Sequence, residues 1–325
     1  MKRDKTLDIA KGIAIILMMY GHLKYTYANM DKVYCWIYSF HMPLFMYITG
    51  CLTSVKTDGK MSQVITKAKK ILVPYVLWNA MAYLVSYIVG FDSRTVGQFL
   101  HGLVFGDGLN SNLPTWYLLS LFWISLFAIY ILPLLDTVKK LIVVDCVAIL
   151  LMWQLPLVKD SPDYFRLKGV VALLPFFITG YLFKKLKFKL PWWLVAPAFA
   201  LGFQLSRVNA IQSWRYITVG NGDICVPYLY LLSAMCTILA LLATCRYIAK
   251  VPGSAVIGIF GKHSLIILVT HWVIGKFLEV RIPVGMKMFW VAFAIECVII
   301  GCVELYNHIR ANGDTKNACK NKLVN

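Results

Sequence analysis

Long apolar runs separated by short polar stretches dominate the chain. A helix needs about 20 mostly apolar residues to cross a bilayer. Ten segments meet that description, at about 6–25, 33–54, 71–90, 114–134, 140–158, 170–186, 191–206, 224–246, 257–276 and 286–307. The runs are continuous rather than alternating, which favours helices over a membrane barrel. The pattern therefore predicts an all-α polytopic integral membrane protein with about ten transmembrane helices. The longest intervening stretches, 91–113 and 207–223, are too short for soluble domains, although they can fold over a cavity mouth. With no internal repeat or low-complexity tract in view, residues 1–325 read as a single membrane-embedded domain. The opening MKRDK followed by an apolar run is reminiscent of a signal peptide. However, no small-residue cleavage site follows, and the run carries Asp8, Lys11 and His22, so it is expected to be a retained first span.

Composition narrows the picture further. Of 325 residues, 59% are hydrophobic and only 15% charged, more apolar surface than a soluble domain of this length can bury. A soluble enzyme and a disordered chain are excluded. The 33 Lys and Arg against 15 Asp and Glu give a net charge of +18. Those basic residues sit in blocks between apolar runs, the signature of membrane topology rather than of nucleic-acid binding. With a cytoplasmic N-terminus, the inner segments carry 20 Lys and Arg and the outer segments 11. This predicts that both termini are cytoplasmic, in keeping with an even number of spans. The nine cysteines show no C-x-x-C spacing, so neither a disulfide framework nor a zinc site is expected.

Ionisable residues inside spans are costly and mark functional sites. The first span holds Asp8, Lys11 and His22. Eleven residues bring Lys11 and His22 to within about 20° on one helix face, about 16 Å apart along the axis. Asp8 precedes Lys11 by three residues and can pair with it. In the second span, His41 lies two residues before Pro43, which distorts a helix and frees a carbonyl. Entering from outside, His41 reaches about the depth of His22, and the two histidines outline a polar pocket. A metal site is the other use of two histidines, but no third ligand has suitable spacing and no metal is expected. Trp116 and Tyr117 open the fourth span, as a substrate path or as an interfacial aromatic belt. Lys262 stands near the cytoplasmic start of the ninth span, followed by His263 and, further in, Thr270 and His271. Glu296 and Glu304 lie in the last span.

LDIAKGIAIILMMYGH followed by SFHMPLFMYITGCL closely resembles the acyltransferase-3 family of bacterial membrane enzymes, in its fucose 4-O-acetylase-like branch. PTWYLLSLF, LLPFFITGYLFKK and GKHSLIILVTHW resemble the family's later motifs in order and spacing, so the likeness covers about residues 4–275. The family's first-span signature is Arg, ten residues, then His, and here Lys11 takes the Arg position and His22 the His position. The resemblance implies a membrane O-acyltransferase of the bacterial inner membrane. It implies transfer of an acyl group, usually acetyl, from cytoplasmic acetyl-CoA to a hydroxyl of a surface polysaccharide or its lipid-linked sugar precursor. Lys11 and Lys262 are then expected to attract the CoA phosphates, with Asp8 orienting Lys11. The pantetheine arm would span the distance to His22, which acts as general base or acyl carrier. His41 is the second candidate, for orientation or for oxyanion stabilisation. The expected partners are acyl-CoA, a glycan or lipid-linked saccharide and the bilayer, with no nucleic acid. The alternative reading is a polytopic transporter of a lipid-linked sugar or small metabolite.

Overall fold

A computed structural model describes residues 4–25, 31–90, 92–106, 111–213 and 216–323, with side chains as far as 311. Lys2, Arg3, Arg215, Lys316, Lys320 and Lys322, which entered the charge count, fall outside that description, as do residues 91, 107–110 and 214–215 of the outer stretches. The described residues form twelve α-helices and no strand, with one isolated antiparallel bridge between Thr218 and Asp223. The helices are α1 (Lys5–Lys24), α2 (Lys32–Leu52), α3 (Lys60–Ile88), α4 (Val96–Phe105), α5 (Trp116–Tyr130) and α6 (Val138–Trp153). They continue as α7 (Leu167–Lys185), α8 (Val195–Ser213), α9 (Pro227–Ile248), α10 (Ala255–Lys262), α11 (Ser264–Glu279) and α12 (Met286–Leu323).

Each of the ten apolar segments coincides with a helix, but lengths and limits differ from expectation. Among the described residues, seven helical segments are long and apolar enough to cross a membrane, and an eighth joins them if α10 and α11 count as one span. The segment 257–276 is not one straight helix. It is broken at His263, whose backbone leaves the helical region, and the two halves meet at 74°. α2 contains Lys32, His41 and Pro43 within its 21 residues, and α6 has only 16, so neither reaches the same standard of length and hydropathy. α3 begins at Lys60, eleven residues ahead of its apolar part, because the lysine-rich turn KMSQVITKAKK has good helix formers but few apolar ones. The stretch 91–113 contains α4, closed at its start by a capping box of Thr95 and Gln98.

α9, α1 and the span of α7 are the most enclosed, with 61%, 56% and 56% of their apolar windows buried, against 17% for α8 and 28% each for α3 and α12. The outer ring presents large apolar side chains such as Leu77, Ile88, Trp290 and Val298, as a lipid-facing surface requires. Two glycine contacts set the centre. A Cβ on Gly50 of α2 would stand 2.1 Å from the carbonyl oxygen of Phe177, and one on Gly180 of α7 would stand 2.1 Å from that of Tyr47. Each glycine thus faces the carbonyl three residues before the other, so α2 and α7 run parallel with backbones touching. Both carry the tripeptide Ile-Thr-Gly at this crossing, a local repetition too short to stand out in the sequence. α1 and α10 meet in the same way, through Gly12 against Ile257 and Gly261 against Asp8.

Candidate active site

His22 lies in the last turn of α1, and Tyr38 of α2 stands 2.9 Å from its Nδ1. Around the imidazole are the rings of Tyr38, His271 and Trp272, at 5.5, 5.4 and 5.6 Å between centroids. His41 lies one turn after Tyr38, and its Nδ1–H donates to the carbonyl of Ile37 at 2.7 Å. His271 repeats that device on α11, donating from Nδ1 to Ile267 at 2.7 Å. A carbonyl oxygen only accepts, so in both rings Nδ1 carries the proton and a neutral ring keeps its lone pair on Nε2. The His271 Nε2 is buried with no hydrogen-bond partner among the described residues.

His22, Tyr38 and His41 line one cavity of about 110 Å³, together with Trp116 and the segment Thr218–Asn221. That volume equals the share of about four liquid waters. Trp116 is held between two glycines. Cβ atoms on Gly169 of α7 and Gly220 of the loop between α8 and α9 would stand 3.0 and 2.7 Å from its indole. Asn221 is fixed from outside by Arg166, whose Nη1 donates to Asn221 Oδ1 at 3.2 Å and lies 3.4 Å from the carbonyl of Gly220. A buried chain of polar groups sets the approach to Trp116. Asn79 Nδ2 donates to Thr115 Oγ1 at 2.8 Å, Thr115 Oγ1 donates to the Asn112 carbonyl at 2.6 Å, and Asn112 Nδ2 donates to the Val269 carbonyl at 2.7 Å. Nearby, Thr270 Oγ1 donates to buried Glu296 at 2.6 Å.

At the opposite end of α1, Lys11 Nζ lies 3.0 Å from Asp8 Oδ1, the three-residue pair expected from the sequence. Asp8 and Lys262 line a second cleft, about 530 Å³, with Lys5 and Lys250. Lys262 is also ion-paired to Glu304, which His263 contacts as well. The structure thus brings His22, His41 and Trp116 to one cavity, and Asp8, Lys11 and Lys262 to the other end of α1. Tyr117 joins neither. It is buried and packs against Phe45, ring centroids 6.3 Å apart, because its side chain leaves α5 about 100° round from that of Trp116. Of the two aromatic residues expected on the path, only Trp116 lines the cavity. Among the described residues no group of three His, Cys, Asp or Glu side chains is placed to hold a metal ion.

Sequence reasoning did not single out Tyr38, Asn79, Asn112 or Asn221. Tyr38 is one of several tyrosines in the stretch 34–47, and the asparagines matter only through contacts between helices. His271 was visible as a histidine inside a span, but its closeness to His22 depends on the bend between α10 and α11.

The chain is 40% identical over 88 residues to the Nodulation protein NolL of Sinorhizobium fredii, covering 24% of this chain and 24% of that protein. It is 32% identical over 107 residues to the Nodulation protein NolL of Mesorhizobium japonicum, covering 30% of this chain and 29% of that protein. These matches thus span between a quarter and a third of the curated relatives' length. No solved structure matches the chain. The acyltransferase domain of the acyltransferase-3 family matches residues 4–306, nearly the whole chain. On that match the chain belongs to the acyltransferase-3 family.

Proposed function

We propose that the protein is a membrane O-acetyltransferase that uses acetyl-CoA from the cytoplasmic side and acetylates a hydroxyl of a glycan or lipid-linked saccharide on the other side. The observation that carries this reading is the placing of His22 and His41 on one small cavity beside Tyr38, at the far end of α1 from the basic cleft. The reading includes ten crossings, with α10 and α11 forming one bent span and both termini inside. In its support, Lys5 from the start of α1, Lys250 from the turn after α9 and Lys262 from the end of α10 line a single cleft.

In this mechanism Lys5, Lys11 and Lys250 draw the CoA phosphates to the inner end, and Asp8 fixes Lys11. The thioester reaches the cavity along α1. Nε2 of His22 takes the proton of the acceptor hydroxyl as that oxygen attacks the thioester carbonyl. The new C–O bond forms, the C–S bond breaks, and His22 returns the proton to the departing sulfur. Tyr38 Oη serves the imidazolium as acceptor for Nδ1–H, so the charged ring is satisfied on that side. His41, its Nδ1 committed to Ile37, presents a lone pair on Nε2. That suits accepting a hydrogen bond from the sugar hydroxyl, and it is the wrong polarity for an oxyanion donor. The amide of Asn221 fits that role better. Its Oδ1 faces Arg166, leaving Nδ2 as donor on the cavity side.

The acceptor approaches the cavity past Trp116 and the Thr218–Asn221 segment, which line it. The test is CoA release. Purified protein in nanodiscs, given acetyl-CoA and a thiol probe, releases CoA, and His22→Ala does not. Equal release by both proteins would overturn the assignment. No release with acceptor extracts present would favour transport over transfer.

A further inference from the structure

A third cleft, also about 530 Å³, opens at the inner end between the start of α1 and the ends of α2, α7 and α9. Lys184, Lys187, Lys189 and Arg246 line it, against one carboxylate, Asp4. Asp4 is occupied in capping α1, accepting from the Thr6 N–H at 2.9 Å. Lys184 donates to the Thr53 carbonyl at 2.8 Å. Among the described residues, the side chains of Lys187, Lys189 and Arg246 have no ion-pair or hydrogen-bond partner.

Some cations at that end are matched, Lys140 to Asp136 at 2.8 Å and Lys262 to Glu304, and others, such as Lys5 and Lys250, line the cleft already described. Here three unmatched cations from two separate segments converge on one concave wall. Lys187 also sits in the left-handed region, φ 51°, where it closes α7. The Phe188 N–H donates to the Phe183 carbonyl at 3.0 Å across it, a helix ending for which glycine is the unstrained choice. The remaining wall is aromatic. The Phe183 and Phe188 rings lie 4.6 Å apart, and Tyr47 meets Phe183 edge-on at 6.3 Å.

We infer that this cleft binds a phosphate group carried on an apolar or aromatic body. Two molecules present that chemistry on this side of the membrane. One is an anionic phospholipid, with its headgroup among the cations and its chains in the bilayer. The other is the nucleotide end of a CoA thioester, seated here instead of at the cleft of Lys5 and Lys250, with its phosphates on the cations and adenine on the phenylalanines. The nucleotide source rests on the donor proposed above, and the lipid source does not.

The test uses the full chain in phosphatidylcholine nanodiscs. One arm titrates adenosine 3′,5′-bisphosphate by calorimetry. The other uses native mass spectrometry of protein in mixed phosphatidylcholine–phosphatidylglycerol nanodiscs to count retained phosphatidylglycerol. The double variant Lys187→Gly/Arg246→Gln is expected to bind one of the two probes about tenfold more weakly. Lys140→Gln should bind like the parent, and added salt should weaken the parent's binding. The probe that loses affinity identifies the source. The exposed single change Lys189→Gln serves if the double variant does not fold, and it should show the same direction. Unchanged binding of both probes across these variants, or no binding by the parent, would overturn the inference. Cleft-dependent phosphatidylglycerol binding without any CoA release would leave this inference standing and remove the transferase reading. His22-dependent CoA release without cleft-dependent binding would do the reverse.

Discussion

Tyr38 Oη stands 2.9 Å from His22 Nδ1, joining the second helix to the ring on the first. If His22 is the base, the hydroxyl orients it and receives its proton-bearing nitrogen when charged. His22→Ala should lower CoA release and acetyl transfer by about 10²–10⁴-fold. Tyr38→Phe, which keeps the ring packing on Tyr34 and removes only the oxygen, should lower turnover about tenfold with little change in melting temperature. A Tyr38→Phe protein as fast as the parent would separate the phenol from the chemistry.

Lys11 and Asp8 form a pair one turn apart at the other end of α1. In the proposed role the charge of Lys11 matters more than its shape. Lys11→Arg should therefore remain active, and Lys11→Ala should raise the KM for acetyl-CoA by about tenfold or more. The check is a KM series in matched nanodiscs. Equal KM values for Lys11→Ala and the parent would move the donor phosphates elsewhere, the cleft at Lys187 and Arg246 being the next place to look.

The glycine crossings predict opposite outcomes for one kind of substitution. At Gly261 an added Cβ would lie 1.8 Å from the carbonyl oxygen of Asp8, so Gly261→Ala must push α1 and α10 apart. The expected loss is about 1–3 kcal/mol, with a lower melting temperature. At Gly301 of α12 nothing lies within 4 Å, and Gly301→Ala should be neutral or stabilising by up to about 1 kcal/mol. Thermal unfolding of the two variants checks both signs. A tolerated Gly261→Ala would mean that the two helices are not in backbone contact.

Outside the spans, the Arg94 guanidinium beside Asp92 holds that carboxyl below the usual carboxylate range. Arg94 Nε donates to Asp92 Oδ1 at 2.8 Å, and its terminal nitrogen reaches both Asp92 and Ser111. A carboxyl with a lowered folded pKa stabilises the fold above its unfolded value, about 3.9, and loses that contribution as pH falls through the folded value. Arg94→Gln should therefore be less stable than the parent near neutral pH. The gap should be about 1 kcal/mol or less, since Arg94 is partly exposed. Melting temperatures measured from neutral pH down to about pH 3 should show the gap closing on the acid side. A gap that widened there would reverse the sign of the argument.

Much of this was legible in the sequence, for identifiable reasons. Apolar runs mark helices in a membrane protein because unpaired backbone groups are not tolerated in lipid, so all ten segments found a helix. The pairing of Asp8 with Lys11 needed only the helical period. The common depth of His22 and His41 needed only a count from each end of two spans. The bend at His263 was hidden inside an apolar average that did not separate α10 from α11, and with it went the approach of His271 to His22. Trp116 and Tyr117 looked equivalent as neighbours, yet consecutive residues leave a helix about 100° apart, and only one faces the cavity. Asn79 and Asn112 act through bonds to segments far off in the chain, which no local pattern reveals.

The meeting of Gly50 with Gly180 also constrains how the molecule is made. Gly180 follows Cys51, its hydrogen-bonded neighbour across the crossing, by 129 residues. α2 carries a lysine, a histidine and a proline, and it leaves the ribosome long before the helix that seals its glycine face exists. During that interval α1 is the neighbour available to shelter it, through the ring contact of His22 with Tyr38. The two helices that meet at the candidate site are thus also the first to need each other during membrane insertion. Substitutions there can reduce the amount of protein made as well as the rate at which it works.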